Sequence, residues 1–280
     1  MDHSTIEPLN RVFLQLGPIT IYWYAVFIMS GVALGLFLAI REGKKMGINS
    51  EFFYDLVTYG LPISIIGARI YYVAFSWDYY SSHPEDIIKI WQGGIAIHGA
   101  IIAAFIFGYF FCKKRKVSFW LVADIASVSF IIAQAIGRWG NFMNREAHGA
   151  VTDTFLKMGL RDASGVVTYY HPTFLYESVW NLIGFIGLHF FSKKRKFDGE
   201  VFLAYVAWYG LGRVWIEGLR TDSLYLFSTG IRVSQLVAAV SFLAAAGILA
   251  WVLVKKKPAR ESLYVNRKRE EPQADEKQAD

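Results

Sequence analysis

Residues 119–149 read FWLVADIASVSFIIAQAIGRWGNFMNREAHG. Up to Ile136 the run is apolar apart from Asp124, Ser127, Ser129 and Gln134, and it approaches the roughly 20 residues that a membrane-crossing helix needs. The thirteen residues from Gly137 to Gly149 then crowd two arginines, two asparagines, a glutamate and a histidine between three glycines. This is where the preceding helix should be leaving the membrane, and ionisable groups at that depth are costly unless they serve a function. Gln134, Arg138 and Asn141 are spaced by four and three, so they share one face if the helix continues that far.

Outward from this stretch the chain repeats the apolar theme. Of its 280 residues 54% are hydrophobic and 17% aromatic, which places it among polytopic membrane proteins. The net charge of +6 lies in short basic blocks directly after apolar runs, where it orients helices; this excludes a nucleic-acid-binding face. The single cysteine, Cys112, excludes an internal disulfide and a cysteine-ligated metal site.

Seven spans are expected, at about residues 19–40, 52–75, 94–112, 119–136, 174–191, 201–219 and 233–254. The first is long and its basic flank, Arg41, Lys44 and Lys45, follows it, so it reads as a retained anchor with the amino terminus outside. Of 29 lysines and arginines, 19 fall in the cytoplasmic segments of this scheme and 8 in the outer ones, with Arg69 and Arg213 inside spans. The expected fold is therefore an all-α polytopic membrane protein of seven transmembrane helices, amino terminus outside, carboxyl terminus cytoplasmic, with a small extracytoplasmic cap. Residues 1–18 form an interfacial segment, 19–254 the seven-helix transmembrane domain including the outer loop 150–173, and 255–280 a charged, disordered cytoplasmic tail. In the outer loop, the turn residues 162–165 followed by Val166–Tyr170 predict a hairpin.

Several polar residues stand where a bilayer should not tolerate them. Tyr209, Arg213 and Glu217 are four apart and face one direction; Arg213 and Glu217 could simply form a self-neutralising pair between helices. His98 stands about one turn into the third span, where packing and chemistry are equally good readings. Asp124 has no nameable partner. By topology Tyr24, Arg69, His98, Arg138, Asn141, Glu177, Arg213 and Glu217 all belong to the outer half of the bilayer, which predicts a shared cavity. Forked, permanently charged guanidinium groups suit a phospholipid phosphate.

The stretch 137–149 also closely resembles the signature of bacterial prolipoprotein diacylglyceryl transferases. The blocks 93–99 (GGIAIHG), 171–177 (HPTFLYE) and 209–213 (YGLGR) through Glu217 resemble that family's other motifs. Some members carry glutamine where this chain has Phe174, and His148 falls at a variable position. The resemblance implies transfer of the diacylglyceryl group of phosphatidylglycerol to the thiol of the lipobox cysteine in a prolipoprotein signal peptide, releasing glycerol phosphate. It implies no metal or soluble cofactor, and a site facing the outer leaflet of the bacterial cell membrane. By motif position Arg138 and Arg213 would hold the phosphate, Asn141 and Glu146 would shape the headgroup site, and Glu217 would orient Arg213. His98 would be the base, Gly149 would act through backbone shape, and Tyr24, Arg69 and Tyr209 would complete the lipid site.

Two other classes compete, a membrane transporter and a lipid-binding receptor for an anionic lipid. A transporter needs polar groups through both leaflets, but the cytoplasmic halves offer little beyond Asp55 and Asp124, and no internal repeat is present. A receptor matches the sidedness but leaves no evident signalling surface.

Overall fold

The computed structural model describes residues 9–162, 164–221, 225 and 230–266. Residues 1–8 of the expected interfacial segment and 267–280 of the expected tail lie outside the described residues. The chain is mostly helical: α1 Trp23–Lys45, α2 Ser50–Phe75, α3 Ile97–Lys114, α4 Phe119–Asn144, α5 Thr173–Ser192, α6 Glu200–Leu219 and α7 Val233–Trp251. Among the described residues six helices are long and apolar enough to cross a membrane, α7 counting with its continuation to Lys256. The remaining helix, α6, has 20 residues but includes Glu200, Arg213 and Glu217. The protein is thus a multi-pass membrane protein.

Two antiparallel hairpins accompany the helices, β1 Val12–Leu16 with β2 Ile19–Tyr22 before α1 and β3 Met158–Arg161 with β4 Val167–Tyr170 between α4 and α5. The all-α expectation is corrected to that extent. Residues 19–22, expected to open the first helix, form β2 instead. Their β-branched and aromatic side chains suit a strand, and the turn before them holds Gly17 at φ +59. The hairpin β3–β4 closes on Asp162, whose carboxylate accepts from the backbone N–H of Ser164 and of Val166, each at 2.9 Å. Helix α3 starts three residues later than expected, because Gly93 and Gly94 sit at φ 90 and 74, outside helical space. Helix α4 runs past residue 136 through the polar cluster to Asn144, so Gln134, Arg138 and Asn141 do lie along one helical stripe.

Contacts divide the chain into two units, residues 1–39 with 123–280, and residues 40–122. In the larger unit, α1 lies close on α4: a Cβ at Gly31 would fall 3.0 Å from the Ala133 carbonyl. Helices α5 and α6 are joined by Trp180 and Trp208, whose rings stack at 4.3 Å while each indole N–H donates to the other's carbonyl at 3.1 Å. Beneath them Val128, Ile131, Leu188 and Val201 form a buried apolar core. Asp124 acquires the partners that sequence could not name. Its carboxylate accepts from the N–H groups of Gly199 (2.9 Å) and Phe202 (2.8 Å), capping α6, with Arg195 at 3.7 Å. A buried carboxylate at a helix N-terminus satisfies orphan donors and meets the positive end of the helix dipole. From residue 257 the chain makes short helical turns, and Tyr264 N–H donates to Asp198 at 2.9 Å.

In the smaller unit, α2 and α3 cross closely where Gly67 faces Gly99 and Ala103. Phe52, Phe53 and Phe111 cluster at one end, and Arg115 pairs with Asp55.

Candidate active site

In the larger unit the end of α4, the start of α5 and the second half of α6 bring four charged side chains into one chain of ion pairs. Arg138, in the last two turns of α4, donates through Nη2 to Glu177 Oε1. The other oxygen of Glu177, near the start of α5, lies 3.2 Å from Arg213 Nη1 on α6. Arg213 Nη2 is in turn 2.6 Å from Glu217 Oε2, one turn further along α6. The side chains of Glu177 and Glu217 are only 4% and 2% exposed, whereas those of Arg138 and Arg213 are 22% and 17% exposed. The carboxylates are therefore sealed inside, and the guanidinium groups are the charges that reach outward. Buried carboxylates persist only when paired. One carboxylate thus sets the spacing of two forked donors.

The polar residues around this chain have defined partners. Asn141 Oδ1 accepts from Arg138 Nη1 at 3.3 Å, and Asn141 Nδ2 donates to Glu146 at 2.8 Å. Asn144 Nδ2 also donates to Glu146, at 3.3 Å. Glu146 can turn back onto α4 because Arg145 and Ala147 both adopt left-handed backbone at φ 56, at roughly 1–3 kcal/mol each for residues with a Cβ. That conformation is held by Arg145 Nη2 donating to the Leu9 carbonyl at 2.8 Å and by Thr173 Oγ1 donating to the Ala147 carbonyl. Tyr209, one turn before Arg213 on α6, stacks its ring on that of Tyr205 at 6.0 Å. Tyr24, in the first turn of α1, packs against Gly140, where a Cβ would come within 2.9 Å of its ring.

Gly149 acts through close approach rather than through a left-handed conformation. Its N–H donates to the His171 carbonyl at 2.9 Å, and it bridges Arg220. An added Cβ would lie 2.7 Å from His171 Cβ and 2.8 Å from the Leu219 carbonyl. The segments that precede α5 and follow α6 are therefore gathered at this residue.

Two of the expected site residues belong to the smaller unit. His98 is exposed in the first turn of α3, its ring 6.2 Å from that of Tyr71. Arg69, on α2, is buried, and its guanidinium donates to four backbone carbonyls. Sequence reasoning gave Glu177 no role beyond its depth, and it passed over Arg232, whose Nη1 donates to the Glu217 carbonyl. Glu177 sits inside the 171–177 block and was open to notice. Arg232 precedes α7 and looks like any other flanking charge.

The fold and these ion pairs define a class: a multi-pass membrane protein whose helix ends present two arginines fixed by buried carboxylates. The comparisons narrow it. The family model for prolipoprotein diacylglyceryl transferase matches residues 11–251. A Geobacillus kaustophilus protein named phosphatidylglycerol–prolipoprotein diacylglyceryl transferase is 48% identical over 268 residues, 93% of this chain and 98% of its own. Proteins of the same name from Bacillus licheniformis and Bacillus cereus are 49% identical over 257 residues and 50% identical over 243. They cover 89% and 84% of this chain and 94% and 89% of their own. The chain belongs to the prolipoprotein diacylglyceryl transferase family.

Proposed function

We propose that this protein carries out the reaction for which its relatives are named: it moves the diacylglyceryl group of phosphatidylglycerol to the thiol of a prolipoprotein's lipobox cysteine, the first step of lipoprotein maturation. The thiolate sulfur attacks the glyceryl carbon that bears the phosphate ester. A C–S bond forms, the C–O bond breaks, and glycerol phosphate leaves with the electron pair. Because the leaving group is already a stabilised phosphate, the step needs no metal or soluble cofactor. It needs a thiolate and neutralisation of charge.

The observation that carries this reading is the Arg138–Glu177–Arg213 bridge. Two guanidinium groups held by one buried carboxylate keep their outward faces toward an incoming phosphate without side-chain rearrangement. Glu217 orients Arg213, Asn141 and Glu146 line the headgroup, and Tyr24, Tyr209 and Gly149 shape the walls. His98 takes the thiol proton; a free cysteine has a pKa near about 8.5, so assistance at neutral pH has value. We assign α6 as a seventh span, its charged residues facing the interior, with the amino terminus outside and the carboxyl terminus cytoplasmic. The site then faces the outer leaflet of the bacterial cell membrane, where translocated signal peptides present their lipobox.

The test is to incubate purified protein with phosphatidylglycerol and a lipobox peptide, and to weigh the peptide. A diacylglyceryl mass increment on the cysteine, with release of glycerol phosphate, is the expected result. An unmodified peptide under conditions where a relative is active would overturn the assignment.

A further inference from the structure

We infer that Arg69 is a positioning residue that clamps the outer loop 86–94 onto α2 and thereby fixes the backbone that carries His98. The inference rests on the transferase reading above.

Arg69 is only 7% exposed, yet its partners are carbonyls rather than acids. Nε donates to Ile87 O at 2.8 Å and Nη2 to Asp86 O at 2.6 Å. Nη1 donates to both Gly93 O at 2.8 Å and Gly94 O at 2.7 Å. The guanidinium also lies 5.1 Å from the centre of the Tyr80 ring. An arginine has five N–H donors, and four of these are engaged with the loop. Little is left to offer a lipid phosphate, in contrast to Arg138 and Arg213, whose partners are side chains at an outward face.

The loop is shaped to meet this clamp. Gly93 and Gly94, at φ 90 and 74, turn two successive carbonyls toward the same nitrogen, a geometry that residues with a Cβ rarely adopt. A Cβ at Gly94 would also stand 2.5 Å from Arg69 Nη1 and 2.8 Å from the Tyr72 ring. Just beyond, Ala96 N–H donates to Ala68 O at 3.1 Å, and a Cβ at Gly99 would be 3.0 Å from Ala68 Cα. The run 94–99 is thus set against residues 67–72 of α2 at both its ends, with Arg69 at the centre of the contact. His98, exposed within that run, takes its position from this backbone. Arg69 and the sequence block 93–99 are two halves of one device.

The experiment measures kcat and the KM for phosphatidylglycerol of full-length protein in detergent for Arg69→Gln, Arg69→Lys and Gly94→Ala, each alone and combined with His98→Gln. Loss of position at a reacting group costs up to about a hundredfold in rate, so each clamp variant should lower kcat by about ten- to a hundredfold while KM stays within about threefold. Lysine should behave like glutamine, since a single ammonium cannot span the carbonyl fork. Because residues acting through one another are non-additive, Arg69→Gln should cost less than about threefold in the His98→Gln background. Trypsin cleavage after Lys89 should rise in Arg69→Gln and in Gly94→Ala but not in His98→Gln.

A raised KM with kcat preserved would overturn the proposal, since it would make Arg69 a lipid contact. So would a full additional loss on top of His98→Gln, or unchanged cleavage at Lys89. If His98→Gln alone costs nothing while the clamp variants still expose Lys89, the base assignment fails and the clamp stands as a loop anchor without a catalytic consequence. Should Arg69→Gln fail to fold, Arg69→Lys and Gly94→Ala carry the same comparison.

Discussion

Replacing Glu177 with glutamine keeps the side chain's shape and removes the charge on which two arginines depend. The carboxylate is 4% exposed, paired with Arg138 and 3.2 Å from Arg213. Breaking a buried ion pair by removing one partner costs about 3–5 kcal/mol. Arg213 keeps Glu217 at 2.6 Å, and the amide keeps one acceptor oxygen, so the lower end of that range, about 3 kcal/mol, applies. At about 2–4 °C per kcal/mol, thermal unfolding in detergent should move down by roughly 6–12 °C. Turnover should fall by about a hundredfold or more, the scale of misplacing charge-stabilising donors. Glycerol phosphate should restore part of the lost stability, because a ligand at a hundred times its Kd contributes about 2.7 kcal/mol and its phosphate replaces the missing anion. An E177Q variant that unfolds within about 1 °C of the parent and keeps turnover within about threefold would refute the idea that this carboxylate spaces the arginines.

Three further outcomes are expected. A reporter fused after Lys257 should be cytoplasmic and one inserted near Ser164 exterior; both on one side would overturn the seven-span assignment. Asp124→Ala removes the cap on α6 and takes away one of the two carboxylates beside Arg195, Asp198 remaining at 3.8 Å, so it should lower stability by about 2–4 kcal/mol in a denaturation assay, while turnover per folded molecule stays near the parent's. Asp162 is held below the usual carboxylate range first by its hydrogen bond with the Ser164 hydroxyl and then by backbone donors. A depressed folded-state pKa contributes stability above the unfolded value, about 3.9, that is lost as pH falls through the folded value. A spin label at Val166 should therefore stay ordered from neutral pH to about 4 and gain mobility only below it; loosening between pH 7 and 5 would contradict this.

What sequence could and could not reveal follows from where the physical constraint lies. The bilayer demands long apolar runs, so the seven long helices were legible from hydropathy, α6 among them although it holds Arg213 and Glu217. The start of α1 was not, because Ile19–Tyr22 is apolar and β-branched and suits a strand as well as a membrane helix. Arg138, Arg213 and Glu217 stood out because charge in an apolar run is costly. The link through Glu177 joins residues 36 and 39 positions apart, and Asp124 reaches its helix cap across 75, separations at which no periodicity speaks. The partners of Arg69 were hidden for a different reason: they are backbone carbonyls, which carry no mark in the sequence.

The most direct test of the account is steady-state transfer to a lipobox peptide by Arg138→Ala and Arg213→Ala, each with folding verified. Loss of one charge-stabilising donor costs about a hundredfold or more, so each variant should fall by at least that factor, and lysine should rescue poorly for want of the forked geometry. Correctly folded alanine variants with near-parent turnover would remove the arginine pair from the chemistry.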